Sequence, residues 1–239
     1  MPDRRVHRGP HPEDRRLFAP TVVPVLRSVV ADLAMLLSKG YAEKSSLAIV
    51  GDHFSLTQRQ RVAVMRAACS DAARDGRYSR RVEPDDARGK PLLLDGYNVL
   101  TTVEAALAGG VVMACRDGTF RDMASVHGTY RKVSETIPAL ELVGRALADI
   151  APSNCLWYLD SPVSNSGRLK KIMEEAAADN GWAWRVETVT DPDRRLSAAA
   201  ECVATSDSVI LDRCRQWLNL ARLVVERSVP DAWIIDLER

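Results

Sequence analysis

Apolar residues recur at helical spacing from Val22 through Val25, Leu26, Val29, Val30, Leu33, Leu36 and Leu37. The pattern predicts an amphipathic helix over residues 21–38, with Gly40 as its stop. A short helix over 43–50 ends at Gly51-Asp52, and a third opens with Thr57 as its cap and runs past Cys69. This third helix sets Arg59, Arg61 and Arg66 around an apolar face of Val62, Met65 and Ala68-Cys69. Residues 1–20 show no such period; five arginines, two histidines and four prolines read as a disordered basic tail. Between 77 and 90 charge, glycine and proline replace the pattern, which marks a linker after a small all-helical domain at 21–76.

From residue 91 onward short buried runs alternate with helical patterns. Strands are predicted at 91–95, 155–160, 183–189, 201–206 and 232–237, and helices at 138–150, 166–180, 193–200 and 207–225. Such alternation predicts an α/β domain at 91–239, a parallel sheet flanked by helices and joined by right-handed crossovers. The interval 100–136 does not alternate. Val111-Val112-Met113-Ala114-Cys115 followed by Arg116-Asp117-Gly118-Thr119-Phe120-Arg121 predicts a hairpin turning at Asp117-Gly118. This insertion carries Arg116, Arg121, His127, Tyr130, Arg131 and Lys132, and cations interleaved with aromatics suit a nucleic-acid strand, with a base stacked on Tyr130. A solvated hairpin has the same composition.

Composition narrows the class. With 239 residues and 46% hydrophobic content, the chain can bury the core of one ordinary domain and a smaller one. Five cysteines, odd in number and without a C-x-x-C pair, suit reduced thiols in a cytoplasmic protein and argue against a zinc site. No apolar run approaches the roughly 18 residues that span a bilayer, so no membrane partner is expected. Residues 1–90 hold 17 Lys+Arg and 11 Asp+Glu, and residues 91–239 hold 16 and 21. A basic front suits a polyanion and an acidic back suits cations, while solvated arginines also account for the bias. A short helix, a glycine turn and a basic helix outline a helix-turn-helix, an outline that plain helical packing also gives. Apolar residues left exposed on the first helix would serve a homodimer or a domain contact.

The candidate chemistry lies in the acids that end the strands. Asp95 follows Leu92-Leu93-Leu94, Asp160 follows Cys155-Leu156-Trp157-Tyr158-Leu159, Asp193 opens a helix after Pro192, and Asp207 follows Cys202-Val203-Ala204-Thr205-Ser206. All four are expected at the carboxyl-terminal edge of one parallel sheet, where ligand crevices form. Carboxylates gathered there repel one another unless protons or cations intervene, and Mg²⁺ or Mn²⁺ with oxygen ligands resolves the repulsion. Each acid alone has a plainer reading. Asp95-Gly96 is a common turn, Asp193 and Asp207 can cap helices, and Asp191 competes with Asp193.

At these residues the chain resembles a known family. Asp95-Gly96-Tyr97-Asn98 after a leucine strand resembles the opening motif of the PIN-like nucleases, the NYN branch in particular. Thr205-Ser206-Asp207-Ser208 resembles their later Thr/Ser-x-Asp motif. The amino-terminal stretches Val50-Gly51-Asp52, Leu56-Thr57-Gln58-Arg59-Gln60-Arg61 and Cys69-Ser70-Asp71 resemble a small uncharacterised prokaryotic family fused to such domains. The resemblance implies a PIN-like fold and a metal-dependent ribonuclease acting on RNA. It implies catalytic, metal-binding roles for Asp95 and Asp207, with Asp160 and Asp193 completing the acidic group and Asp212 peripheral. Asn98 would then hold a water or phosphate oxygen. Ser164, Asn165 and Arg168 open a helix and suit a phosphate, although capping also explains them; Ser206, Arg121 and Arg131 join them as substrate-binding candidates. The chain departs from the family pattern in lacking a clear glutamate on the first crossover helix beyond Glu135 or Glu141, and in its insertion. An incomplete acidic set would make a catalytically inactive RNA-binding protein on the same scaffold. An aspartyl phosphatase is disfavoured, because Tyr97 stands where its second acid would be.

Overall fold

The computed structural model describes residues 7–124 and 130–238. Helices α1 (Asp14–Leu17), α2 (Val23–Ser38), α3 (Glu43–His53), α4 (Gln58–Ala67) and α5 (Asp71–Arg80) come first. Strand β1 (Arg81–Val82), helix α6 (Pro84–Ala87), strand β2 (Pro91–Asp95) and helix α7 (Gly96–Leu107) follow, then β3 (Val112–Ala114), β4 (Phe120–Asp122) and α8 (Thr136–Ile150). Alternation then runs through β5 (Asn154–Asp160), α9 (Ser166–Asn180), β6 (Trp184–Val189), α10 (Pro192–Ser197) and β7 (Cys202–Ala204). The chain closes with α11 (Ser208–Leu211), β8 (Gln216–Leu218), α12 (Leu220–Ser228) and β9 (Ile234–Asp236).

The leucine run is a strand covered on both sides. Leu92 and Leu94 join the larger core, with residues of α7, α8, α9 and α12, while Leu93 joins Leu196, Ile210, Leu211 and Trp217 on the opposite face. Period-two alternation in a doubly covered strand produces this split. β2 pairs in parallel with both β5 and β7, at the centre of a six-stranded sheet ordered β1-β8-β7-β2-β5-β6. The chain leaves β2 for β5 and β6 on one side and returns to β7 and β8 on the other. The switch point therefore lies between β2 and β7, where a doubly wound sheet opens its crevice.

A second sheet, β4-β3-β9, joins the two halves of the molecule. Val112, Ala114 and Phe120 face the larger core, whereas Val111, Met113, Cys115, Ile235 and Leu237 pack with Leu26, Val29, Leu33 and Val64 of the helical region. The hairpin turn at Asp117-Gly118 is present, and Gly118 supplies the left-handed φ of 77° that a side chain resists.

Several sequence expectations change. The expected tail is packed from His7 onward: Leu17 and Phe18 are buried, Asp14 is fully buried against Arg59, and Arg8 Nε donates to Glu104 at 2.5 Å. Its polar residues find partners far along the chain, which local periodicity cannot show. Residues 1–6 of that expected tail, and His127, lie outside the described residues. The expected linker is also structural, since α5 continues into β1 and β1 pairs with β8 through Arg81↔Trp217. The third helix ends at Ala67 rather than passing Cys69, because Ala68 is extended and Ser70 caps a new helix. The helix expected over 207–225 is α11, β8 and α12, and the last strand leaves the main sheet to pair with β3. Val25 and Met35 stay exposed on α2, the helix whose exposed apolar residues suit a homodimer or a domain contact. Among the described residues no helix is long and apolar enough to cross a membrane, and all five cysteines are free and buried.

Asp117 is fully buried and bonded to Arg77 Nη1 at 2.6 Å and Arg121 Nη2 at 2.7 Å. Removing one member of such a group strands buried charge, so Asp117→Ala is expected to cost about 3–5 kcal/mol in urea unfolding. A loss below about 1 kcal/mol would show that the cluster does not hold the hairpin to α5.

Candidate acidic site

Asp95 emerges at the end of β2 and is 5% exposed. Its Oδ2 accepts from Asn98 Nδ2 at 2.6 Å and from Thr205 Oγ1 at 2.8 Å. Asn98 stands one turn along α7, so helix geometry returns it to the aspartate. Thr205 Oγ1 in turn accepts from the Asp207 backbone N–H at 3.0 Å, which ties the loop after β7 to the end of β2. Burial pushes the Asp95 carboxyl up to about 7; the bonds from Thr205 and Asn98 oppose this, and the Asp207 and Asp193 charges add to it.

Asp95, Asp160, Asp193 and Asp207 line one cavity of about 720 Å³, together with Asn98 and Ser206. Asp207 Oδ1 accepts from the backbone N–H groups of Val209 and Ile210, so it is a cap, while Oδ2 has no partner among the described residues. Asp191 caps α10 through the Arg194 N–H at 3.0 Å, and Asp193, rather than Asp191, reaches the cavity. Burial, then the charges of Asp207, Asp191 and Asp160, raises the Asp193 pKa; burial and Asp191 raise that of Asp160. Among the described residues no three His, Cys, Asp or Glu side chains gather closely enough to hold a metal ion. The expected four-ligand set is thus a shared cavity lining and not a preformed cage.

Other expected contacts are corrected. Arg121 is spent internally: Nε donates to Ser206 O at 2.7 Å, Nη1 to Arg66 O at 2.8 Å and Nη2 to Asp117. It braces the site and offers no free head group to a phosphate. Tyr130 is 2% exposed, its hydroxyl donates to Glu104 at 2.5 Å and its ring lies 5.4 Å from that of Tyr97, so no base can stack there. Arg59 and Arg61 pair with Asp14 and Asp52, and Arg66 Nη1 donates to Asp122 O and Ala124 O, which turns the basic helix inward instead of presenting a groove reader. Arg131, Asn165 and Arg168 line a second pocket of about 400 Å³ with Lys132, apart from the acids. Asn165, in the left-handed region with φ 70°, donates to Tyr130 O, and Ser164 O accepts from Tyr130 N.

Three contributors escaped the sequence. Asp122 lines the cavity, accepting from Thr101 and Thr102 at 3.1 and 3.0 Å; a strand ending in aspartate was its signal, hidden because β4 is a hairpin strand. Thr205 stood inside the Thr-Ser-Asp motif without a role. Leu37, Glu43 and Met65 make the helical region one wall of the cavity, a packing that no local pattern announces.

A family model described as a domain of unknown function, DUF5616, matches residues 84–223, and one described as a protein of unknown function, DUF434, matches residues 25–80. An uncharacterized protein of Methanocaldococcus jannaschii is 31% identical over 180 residues, 75% of this chain and 86% of that protein. No solved structure matches.

The raised Asp95 pKa has a consequence for stability. Between about pH 4 and pH 7 the folded chain keeps a proton that the unfolded chain has lost, so stability falls as pH rises through that window. Asp95→Asn removes the effect: its advantage over the wild type is expected to grow by about 2–3 kcal/mol from pH 5 to pH 8 in parallel melts. An advantage that does not change with pH would mean that burial and the neighbouring charges do not hold the Asp95 carboxyl protonated.

Proposed function

We propose that the chain, which belongs to the DUF5616 family, is a divalent-metal-dependent ribonuclease of the PIN-like, NYN kind, hydrolysing RNA phosphodiester bonds at the acidic cavity. The observation that carries this reading is Asp95. It is a buried carboxyl at the switch point of a parallel sheet, raised to about 7 with the Asp207 and Asp193 charges upon it and no cation bonded to it among the described residues. Perturbed acids in a crevice mark functional sites more often than structural ones.

The donors suit Mg²⁺ or Mn²⁺: all are carboxylate oxygens, and Asp207 Oδ2 has no partner among the described residues. Mg²⁺ is commonly held by one or two carboxylates with substrate phosphate and waters, so Asp95 and Asp207 suffice as protein ligands without a closed cage. Bound there, the ion supplies polarisation of the phosphodiester and a lowered pKa for a bound water. Asn98 and Thr205 hold the Asp95 oxygens in place, and Asp160 and Asp193 complete the acidic group. Asp193, exposed at the rim with its pKa raised, takes the proton that the attacking water loses.

Arg131, Lys132 and Arg168 have no carboxylate partner among the described residues and receive the strand's phosphates. Val163 lines the acidic cavity and Asn165 the basic pocket, so a strand passes from one to the other across two residues of loop. One observation favours the alternative of a catalytically inactive RNA-binding protein: among the described residues no three acids gather into a ready ligand set.

With Mn²⁺ the wild type is expected to cleave single-stranded RNA, with EDTA abolishing cleavage and Asp95→Asn reducing it about a hundredfold or more. Mn²⁺ is also expected to raise the melting temperature of the wild type at pH 8 but not that of Asp95→Asn. RNA bound without cleavage by the wild type in Mn²⁺ would establish the inactive binder instead.

A further inference from the structure

Among the described residues, Tyr97 Oη and Asp160 Oδ1 are buried atoms with no hydrogen-bond partner, and both residues line the acidic cavity. Tyr97 is only 9% exposed. Tyr97 stands in the first turn of α7, directly after β2 ends at Asp95, whose partner on β5 is Tyr158; that turn lies against the end of β5, and the Asp160 charge acts on the Tyr97 hydroxyl. Gly96 permits the approach, since a Cβ there would meet Leu159 Cδ2 at 2.6 Å and Tyr158 O at 2.9 Å. The Tyr97 ring is set by Tyr130, with centroids 5.4 Å apart, so packing fixes where its hydroxyl stands.

A buried polar group without a partner destabilises the fold, and two of them in one functional cavity indicate a ligand that satisfies both. The phenolic hydroxyl has a proton to give, and the carboxylate oxygen can only accept. A phosphate oxygen would suit Tyr97 but repel Asp160; an ammonium group would suit Asp160 but could not take the Tyr97 proton. The group that answers both is a neutral hydroxyl, accepting one hydrogen bond and donating one. An RNA strand carries such a group on every ribose and DNA does not.

We infer that Tyr97 and Asp160 form a subsite for the ribose 2′-hydroxyl beside the scissile phosphate, through which the cavity selects RNA over DNA. This rests on the strand occupying the cavity as described above. Tyr97 Oη donates to the 2′-oxygen, the 2′-hydroxyl donates to Asp160 Oδ1, and Asp160 Oδ2 remains with the acidic group.

The test is Tyr97→Phe, which keeps the ring and removes only the hydroxyl. Binding of one single-stranded sequence, made as RNA and as DNA, is measured by fluorescence anisotropy in EDTA, so that no turnover is needed. The wild type is expected to prefer RNA, and the variant to lose about tenfold of that preference with DNA affinity unchanged, the effect of one lost hydrogen bond. Its melting temperature is expected to hold or rise, because no bond within the fold is broken. An unchanged preference, an equal loss on RNA and DNA as an ordered water or altered packing would give, or a lowered melting temperature would each overturn the subsite. Cleavage by the wild type in Mn²⁺ is scored separately. RNA preference without cleavage sinks the nuclease and leaves the subsite standing, and cleavage without RNA preference does the reverse.

Discussion

The molecule is organised around a buried charge that it neutralises completely. Asp117 sits in the hairpin turn between β3 and β4, where its Oδ1 accepts from the Thr119 hydroxyl at 2.6 Å and its Oδ2 takes Arg77 and Arg121. Burial alone would raise its pKa, yet the Arg121 and Arg77 guanidinium groups hold it down at about 2. Both arginines reach onward. Arg121 donates to Ser206 O, and Arg77 bonds Asp212 through Nε and Nη2 at 2.7 and 2.9 Å. One carboxylate therefore fastens α5, the hairpin and the loop after β7 together. Such a group adds little net stability over an apolar core, but it fixes position, because each member leaves a stranded charge if it moves.

Asp95 shows what the same degree of burial does without arginines. It is 5% exposed and Asp117 fully buried, yet Asp95 is pushed up to about 7 while Asp117 falls to about 2. Among the described residues only neutral donors, Thr205 and Asn98, meet the Asp95 carboxyl, and the Asp207 and Asp193 charges add to the effect of burial. A structural aspartate is matched to cations, and an aspartate held against its own preference is the kind of group that functional sites retain. The two sites are mechanically joined, since Arg121 holds Ser206 and the next residue is Asp207. The neutralised charge supplies the rigidity that the unneutralised one requires.

Legibility in the sequence followed from how each element is buried. β2, β5 and β6 stood out because apolar residues there alternate or run together between turn signals, and the aspartates that end β2 and β5 were visible with them. Helix α7 did not stand out: ten of its twelve residues are buried, so it lacks the polar face that reveals a helix. β8 is three residues long, and its Trp217 and Leu218 continue the spacing of neighbouring helices, so it merged with them. The amino-terminal segment looked disordered because its order rests on Asp14 with Arg59 and Arg8 with Glu104, pairs separated by 45 and 96 residues. In the cavity, the acids from the ends of β2, β5 and β7 could be read from strand ends. The ribose subsite inferred at Tyr97 and Asp160 depends on how the first turn of α7 meets the end of β5 and on orphaned atoms, which exist only in three dimensions.

The small sheet explains why the two family regions act as one body. Alternate residues of β3 belong to different cores: Met113 to the helical region, Val112 and Ala114 to the α/β core. A strand with one face in each core cannot shift in one without disturbing the other, because packed interiors are dense and resist deformation. The same hairpin carries Arg121 to Ser206, while α4 carries Met65 and Arg66 into the cavity wall. Displacing the helical region would therefore move the wall and loosen the loop that bears Asp207 together. It follows that the helical region is part of the site's construction rather than an appended module, and that the acidic cavity exists only where both regions are folded against the β4-β3-β9 sheet.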